Sequence, residues 1–278
     1  MIKQITSLSN PLIKQVLSLE TARERDKTGL FAVEGLREIN LAQQANYFIQ
    51  TLIYCPEYTG HEHLRQILSQ SKNLEFVEVT KDVFEKIAYR KYVPNAIALC
   101  HSRPLLLQNL TLSANPLMVV VEAVEKPGNL GAILRTADAA GVDALVLCHP
   151  QTDVFNPNVI RSSLGAVFTC PVAVCTTDEA ISFFRTNSLP IIAAAITPSA
   201  KPYHEQRLDM PCAIAFGSEA EGLSKEWLET SDHHAIIPMY GHVNSLNVSV
   251  SAAVFIYEAI RQRVEMKKIS SRLLSFGH

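Results

Sequence analysis

No apolar run in the chain approaches the roughly 18 residues that a membrane-spanning helix requires. The opening Met1-Ile2-Lys3-Gln4 lacks the basic start and apolar stretch of a secretory signal. A soluble cytoplasmic protein with no membrane partner is therefore expected. No two of Cys55, Cys100, Cys148, Cys170, Cys175 and Cys212 form a C-x-x-C pair, and Cys100, Cys148, Cys175 and Cys212 lie in or beside apolar runs. This argues against structural zinc or disulfides and for buried free thiols. Neither G-x-G-x-x-G nor G-x-S-x-G occurs, which weighs against an NAD-binding fingerprint and a nucleophilic serine elbow. Nor is there a basic excess: the net charge is −2. Residues 1–110 carry 13 Lys+Arg against 11 Asp+Glu, and the remainder 12 against 16, so charge alone neither supports nor excludes an RNA partner.

What the chain does have is core-forming material. Apolar residues make up 47% and charged residues 19% of its 278 positions, enough for a packed core and, by length, roughly two domains. The first hundred residues mix helical and strand signals. NPLIKQVLSLETARERDKTG reads as an amphipathic helix starting at Asn10-Pro11, with Leu12, Ile13, Val16, Leu17 and Leu19 on its apolar face. Its charged second half, with Arg23, Arg25 and Lys27 among Glu24 and Asp26, reads as a solvated helix end. FAVEGLREINLAQQ, FIQTLIYC, HLRQILSQ, LEFVEVT and VFEKIA alternate helix and strand patterns, as in a compact α/β unit. In YRKYVP, Arg90 and Lys91 between Tyr89 and Tyr92 suit either an RNA contact or an ordinary loop.

Residues 106–116 read as a linker. Beyond it, MVVVEAV, DALVLCH, PVAVCT, PIIAAAIT, CAIAFG and HAIIPM are short apolar runs. Helical segments near 131–140, 157–167, 178–186 and 224–231 separate them, and a long helix begins near Ser249. Continuous apolar strands alternating with helices predict a parallel sheet covered on both faces.

Ligands of such sheets sit beyond the carboxyl ends of strands, and three of these ends carry unusual sequence. In VEAVEKPGNLGAILRTADAAG, Asn129 can cap a helix stopped by Gly141, and Gly128 and Gly131 permit close backbone approach. Arg135 sits in a segment otherwise suited to burial; it can pair with Asp138 or grip phosphate through its planar fork. In CAIAFGSEAEGLSKEWLE, Gly217 leaves backbone open to a ligand, and Glu219 with Glu221 form either an acid/base pair or a solvated turn. In IIPMYGHVNSLNVSV, the polar residues alternate strand-like from Asn244 before a helical face begins at Ala252. Four capping residues, Asn244, Ser245, Asn247 and Ser249, exceed what one helix start needs. His242 has no second ligand at metal spacing, so no metal is expected.

Together the three loops resemble the SpoU (TrmH-like) family of S-adenosylmethionine-dependent RNA ribose 2′-O-methyltransferases. The resemblance rests on N-L-G-A-I-L-R-T-A at 129–137, F-G-S-E-A-E-G-L-S at 216–224 and I-P-M-Y-G-H-V-N-S-L-N-V-S-V-S-A-A at 237–253. S-x-x-N-P-x-I-K at 7–14 and F-x-V-E-G at 31–35 more weakly resemble the small ribosomal-protein-like RNA-binding domain that often precedes this core. The resemblance implies a knotted parallel α/β domain over 117–268, with a trefoil knot in its carboxyl-terminal segments. It implies an RNA-binding α/β domain over 1–105; the closing residues, 269–278, read by themselves as a tail. S-adenosylmethionine as cofactor, ribosomal or transfer RNA as substrate and a homodimer are implied as well. By position, Arg135 matches the catalytic arginine, Asn129 the first-motif asparagine, Glu219 the second-motif glutamate, and Ser245 and Asn247 the third-motif pair. Gly217, Ile237, Leu246 and Asn247 match the cofactor-binding positions, while Ser249 is left for the helix start. Ala220 stands where the family usually has Gly, and a slightly stiffer second loop is expected. A guanidinium keeps its proton in proteins, so Arg135 reads as a phosphate grip and alkoxide stabiliser rather than a base. The rival reading is a non-catalytic RNA-binding protein that keeps the fold.

Overall fold

The computed structural model describes residues 3–60, 74–89 and 93–275. The predicted segment HLRQILSQ and the candidate RNA contacts Arg90, Lys91 and Tyr92 lie outside them. The chain forms two compact units. One comprises Met1–Pro104 with Asp153–Thr169; the other comprises Leu105–Thr152 with Cys170–His278.

The first unit contains β1 (Lys3–Ile5), α1 (Pro11–Ser18), α2 (Ala22–Thr28), β2 (Leu30–Glu34), α3 (Leu36–Gln44), β3 (Ile49–Tyr54), α4 (Pro56–Thr59), β4 (Glu75–Val79), α5 (Lys81–Ile87) and β5 (Ile97–His101). Its five-stranded sheet has the order β1-β4-β3-β5-β2, parallel among β1, β4 and β3 and antiparallel at β5. Asn10 caps α1 by accepting from Leu12 N at 2.9 Å, and Ile13, Val16 and Leu19 enter the core as the periodicity predicts.

The predicted single helix is in fact two. Thr21 caps a new helix after Leu19, and Gly29, at φ 63°, ends it. The solvated-end reading fails at Arg25, which is only 5% exposed. Arg25 pairs with Asp153 and donates to the Leu19 carbonyl, so its charge and the end of α1 are satisfied together. Asp153–Thr169 supplies this partner from far along the sequence. It also stacks Phe155 on Phe31 at 4.3 Å and sets Phe168 edge-on to Tyr47. The helix expected over 157–167 divides into α7 (Pro157–Ser162) and α8 (Ala166–Thr169), because Leu164 and Gly165 take positive φ.

The second unit contains β6 (Leu117–Glu122), α6 (Pro127–Ala140), β7 (Ala144–Cys148), β8 (Val172–Cys175), α9 (Thr177–Thr186), β9 (Ile191–Ala194), β10 (Lys201–Pro202), β11 (Cys212–Phe216), α10 (Lys225–Thr230), β12 (His233–Ile236) and α11 (Val248–Ser275). All seven strands are parallel, in the order β10-β12-β9-β11-β6-β7-β8. β6, β7 and β11 are buried along their whole length, as a sheet covered on both faces requires. Helices α9 and α10 cover one face, where Phe184 and Trp227 pack on Val120, Val146 and Ala215. The chain runs from β6 outward to β8, crosses to β9, and returns at β11 between β9 and β6. That reversal beside β6 leaves a crevice at the strand ends. The alternation from Asn244 is not a strand: α11 begins at Val248 and continues to Ser275, into the segment read as a tail. Among the described residues, no helix is long and apolar enough to cross a membrane. All six thiols are free and all but Cys175 are buried; burial pushes Cys100 and Cys170 up to about 12.

Candidate active site

Loops after β6, β11 and β12 meet at the carboxyl edge of the second sheet. Their meeting point is the Glu219 carboxylate. Lys126 ion-pairs with it, the Asn129 amide donates to Oε1, and Asn247 Nδ2 donates to the same oxygen at 2.9 Å. Asn247 Nδ2 also reaches Asn129 Oδ1 at 3.2 Å, and Asn247 Oδ1 accepts from the Ser249 backbone N–H at 2.9 Å and its hydroxyl at 2.6 Å. Every amide nitrogen in this network donates and every amide oxygen accepts, which fixes both amides' orientation.

The helix geometry explains the convergence. Pro127 sets the first turn of α6, so Lys126 and Asn129 both project from its N-terminal end. Asn129 therefore sits inside the first turn and does not cap it. Asn247, rather than Ser249, starts α11, and it reaches the site with the same side chain. A cap and a site residue coincide. Gly141, at φ 66°, closes α6 as expected.

The second loop is held by itself. Ser218 and Gly222 exchange backbone hydrogen bonds at 3.0 and 3.1 Å, and the Ser218 hydroxyl accepts from Glu221 N. A Cβ on Gly217 would lie 1.9 Å from the Gly222 carbonyl carbon. The space on the side-chain side of the Gly217 Cα is thus filled by the loop's own return, so only a residue without a Cβ fits there. Around Gly128, by contrast, a Cβ would meet nothing within 4 Å. Ala220 does not take positive φ, so the missing glycine leaves no backbone strain.

Beside this loop lies a cavity of about 570 Å³. Gly217, Ile237 and Leu246 line it with Glu219, Ser245 and Asn247, so every position matched to the cofactor faces one space. Its walls are otherwise mostly apolar, including Ile196, Leu228 and Phe255, and its size is ordinary for a small-molecule site.

Arg135 does not join this group. It is exposed on α6, lines no part of the cavity, and its side chain makes neither an ion pair with Asp138 nor a hydrogen bond to any other of the described residues. Glu219 is held as an anion. Lys126 draws its carboxyl below the usual range, with help from Asn129 and against desolvation, and Glu219 in turn raises the Lys126 ammonium. Such a carboxylate is a poor proton donor and serves better as a fixed negative anchor. His242 is exposed, and no group of three His, Cys, Asp or Glu side chains among the described residues is placed to hold a metal ion.

Two contributors escaped the sequence reading. Lys126 stands immediately before Pro127, where a helix-start motif draws attention to Asn129 instead. Glu122 ends the buried strand β6 at 6% exposure. Its Oε1 accepts from the Thr177 hydroxyl at 2.8 Å and its Oε2 from Ser224 N at 2.7 Å, tying the α9 start to the far end of the second loop. A carboxylate closing an apolar run, V-V-V-E, was the available signal.

Residues 116–257 match the SpoU rRNA Methylase family, and residues 10–98 match the MRM3-like substrate binding domain. Over 255 residues the chain is 29% identical to the 23S rRNA (guanosine(2553)-2′-O)-methyltransferase RlmP of Bacillus subtilis (strain 168), covering 92% of this chain and 98% of that protein. A solved RNA 2′-O ribose methyltransferase is 38% identical with a TM-score of 0.80, covering 94% of this chain and 99% of that one. An AdoMet-bound rRNA methyltransferase from Sinorhizobium meliloti reaches a TM-score of 0.86 at 28% identity, covering 94% of this chain and 98% of its own. These likenesses extend across both units, not the second alone.

Proposed function

The chain belongs to the SpoU rRNA methylase family, and from that premise we propose that it transfers a methyl group from S-adenosylmethionine to a ribose 2′-hydroxyl of ribosomal or transfer RNA in the cytoplasm. The observation that carries the reading is the convergence of Asn129, Glu219 and Asn247 beside the cavity lined by Gly217, Ile237 and Leu246.

The cavity suits the cofactor chemically: apolar walls for an adenine ring, and polar groups at Glu219, Ser245 and Asn247. When bound, S-adenosylmethionine supplies a methyl already activated by its sulfonium. The protein's work is then positioning and charge. Gly217, Ile237 and Leu246 form the binding wall. Lys126, Asn129 and Asn247 hold Glu219 in one place, so the loops do not reorganise during reaction. Aligning the ribose hydroxyl for displacement removes about 7–11 kcal/mol of barrier.

Arg135 grips substrate phosphate and stabilises the developing alkoxide as a permanent cation, the proton of the ribose hydroxyl passing to solvent water. Its exposure fits a group waiting for RNA. We also place a homodimer in this reading, with the active sites near its interface. Its support is the apolar stripe of Val250, Tyr257 and Val264 on α11, seven residues apart and 47%, 52% and 45% exposed. The trefoil knot belongs to the same reading. It is supported by β11 lying between β6 and β9 and by α11 packed against α6.

Purified protein should retain S-adenosylmethionine and not NAD at equilibrium, and should label RNA from cells lacking the gene at ribose 2′-oxygens. Protein that never retains the methyl donor ends this reading. Arg135→Ala should slow single-turnover transfer by at least about 100-fold while leaving cofactor affinity intact. An unchanged rate removes Arg135 from the chemistry.

A further inference from the structure

We propose that the end of the first sheet bearing Phe48, Gln50, His101 and Arg103 is a stacking site for an unpaired base of the RNA substrate. The substrate class rests on the methyltransferase reading; the site itself rests on other residues.

Strand β3 begins just after Phe48 and β5 ends at His101. The His101 backbone N–H donates to the Phe48 carbonyl at 2.9 Å, which sets the two side chains next to one another. Their ring centroids are 5.2 Å apart at 54°. Phe48 is 61% exposed, whereas the preceding Tyr47 is buried at 6%. The chain thus anchors one aromatic ring and presents the next to solvent.

A single exposed phenylalanine is commonplace. What distinguishes this one is its surroundings. The Gln50 Oε1 lies 3.0 Å from His101 Nε2, so the amide carbonyl is the part of Gln50 that this contact uses. The Arg103 guanidinium lies 4.1 Å over the Tyr47 ring, with Nη1 donating to the Ala45 carbonyl at 3.0 Å. That arrangement fixes a cation two residues beyond His101 in the chain, with N–H groups left for phosphate. A π face, an amide and a rigid guanidinium match the parts of one nucleotide: base face, base edge and backbone. A duplex offers no free base face, so the surface selects an unpaired nucleotide. A protein partner would call for more contiguous apolar area than the polar neighbours of Phe48 provide.

The test measures binding of the full chain to a fluorescein-labelled single-stranded oligouridylate of about 15 nucleotides, and to a duplex RNA of the same length, across one matched series of salt concentrations. Phe48→Ala should weaken single-strand binding about 5- to 100-fold, Phe48→Trp should restore it, and duplex binding should not change. Arg103→Ala should weaken binding and flatten its salt dependence by about one phosphate contact. Adenosylmethionine affinity, measured on the same preparations, should match the wild type and reports the fold. Should Phe48→Ala lose it, Phe48→Leu, which keeps apolar bulk without a π face, takes its place. Unchanged single-strand binding overturns the proposal, as does an equal loss with Trp or a parallel loss for duplex. If the wild-type chain binds no adenosylmethionine, the methyltransferase reading fails, yet the oligonucleotide comparison still decides the stacking site.

Discussion

Gly217→Ala should abolish the cofactor site through backbone, not through any lost side chain. An added Cβ would stand 1.9 Å from the Gly222 carbonyl carbon, 2.1 Å from its oxygen and 2.1 Å from Leu223 N. Ordinary contact begins near 3.4 Å. The opposing backbone must therefore retreat by about 1.5 Å, and no flexible side chain is available to absorb that movement. Such a retreat opens the Ser218–Gly222 bridge and swings Glu219, two residues on, away from Asn129 and Asn247. Overpacking of this kind costs about 1–3 kcal/mol, and a misplacement of about 1 Å costs about 100-fold in rate. The assay pairs calorimetric titration of S-adenosylmethionine with urea unfolding. We expect both a stability loss in that range and undetectable or at least tenfold weaker binding. Gly128→Ala is the control: a Cβ there meets nothing, and replacing a helical glycine stabilises by about 0.5–1 kcal/mol. If Gly217→Ala binds the cofactor like the wild type with an unchanged urea midpoint, the self-closed loop is not what shapes the site.

Three further outcomes follow from the same geometry. Asn247→Ala removes both a cap and a site contact, so unfolding should show a loss of about 0.5–2 kcal/mol; Asn247→Asp keeps the cap acceptor but faces the Glu219 anion, and should bind cofactor worse than the Ala variant despite higher stability. Glu122→Leu leaves the Ser224 backbone N–H and the Thr177 hydroxyl without their acceptor, and urea titration should register about 1–3 kcal/mol for the unsatisfied buried N–H; an unchanged urea midpoint would mean that Glu122 does not tie the loops. The Glu219 carboxyl is depressed chiefly by Lys126, so its native contribution is complete above the ordinary glutamate value of about 4.3 and is lost only as pH falls through the lower folded value. Lys126→Met should therefore move the acid loss of cofactor binding to higher pH, and superimposable profiles for variant and wild type would refute the pairing.

Local chemistry accounts for what could be read along the chain. The apolar runs that became β6, β7 and β11 had to be buried strands, because no face of them could meet water. Asn10-Pro11 and Gly141 mark helix ends through capping and φ preference alone, and the three loop motifs carried their own order and identity. Cap assignment was harder to read, since several Ser and Asn residues near one helix start are equally good acceptors in sequence. Tertiary placement chose Asn247 for both tasks and turned Asn129 to Glu219 and Asn247 rather than to a cap.

Periodicity and the conformational limits of Pro and Gly were enough for the buried strands and parallel class of the second unit and for which of its loops bear polar groups, but not for where the first helix and the 157–167 helix divide. Tertiary packing is what buries Arg25 against Asp153, fills the space a Cβ on Gly217 would take, and brings Lys126 to the Glu219 anchor. The reason is common to all three. Each depends on which distant group fills the space beside a residue, and a charge or a missing Cβ is the same letter in the sequence whether its neighbour is water or protein.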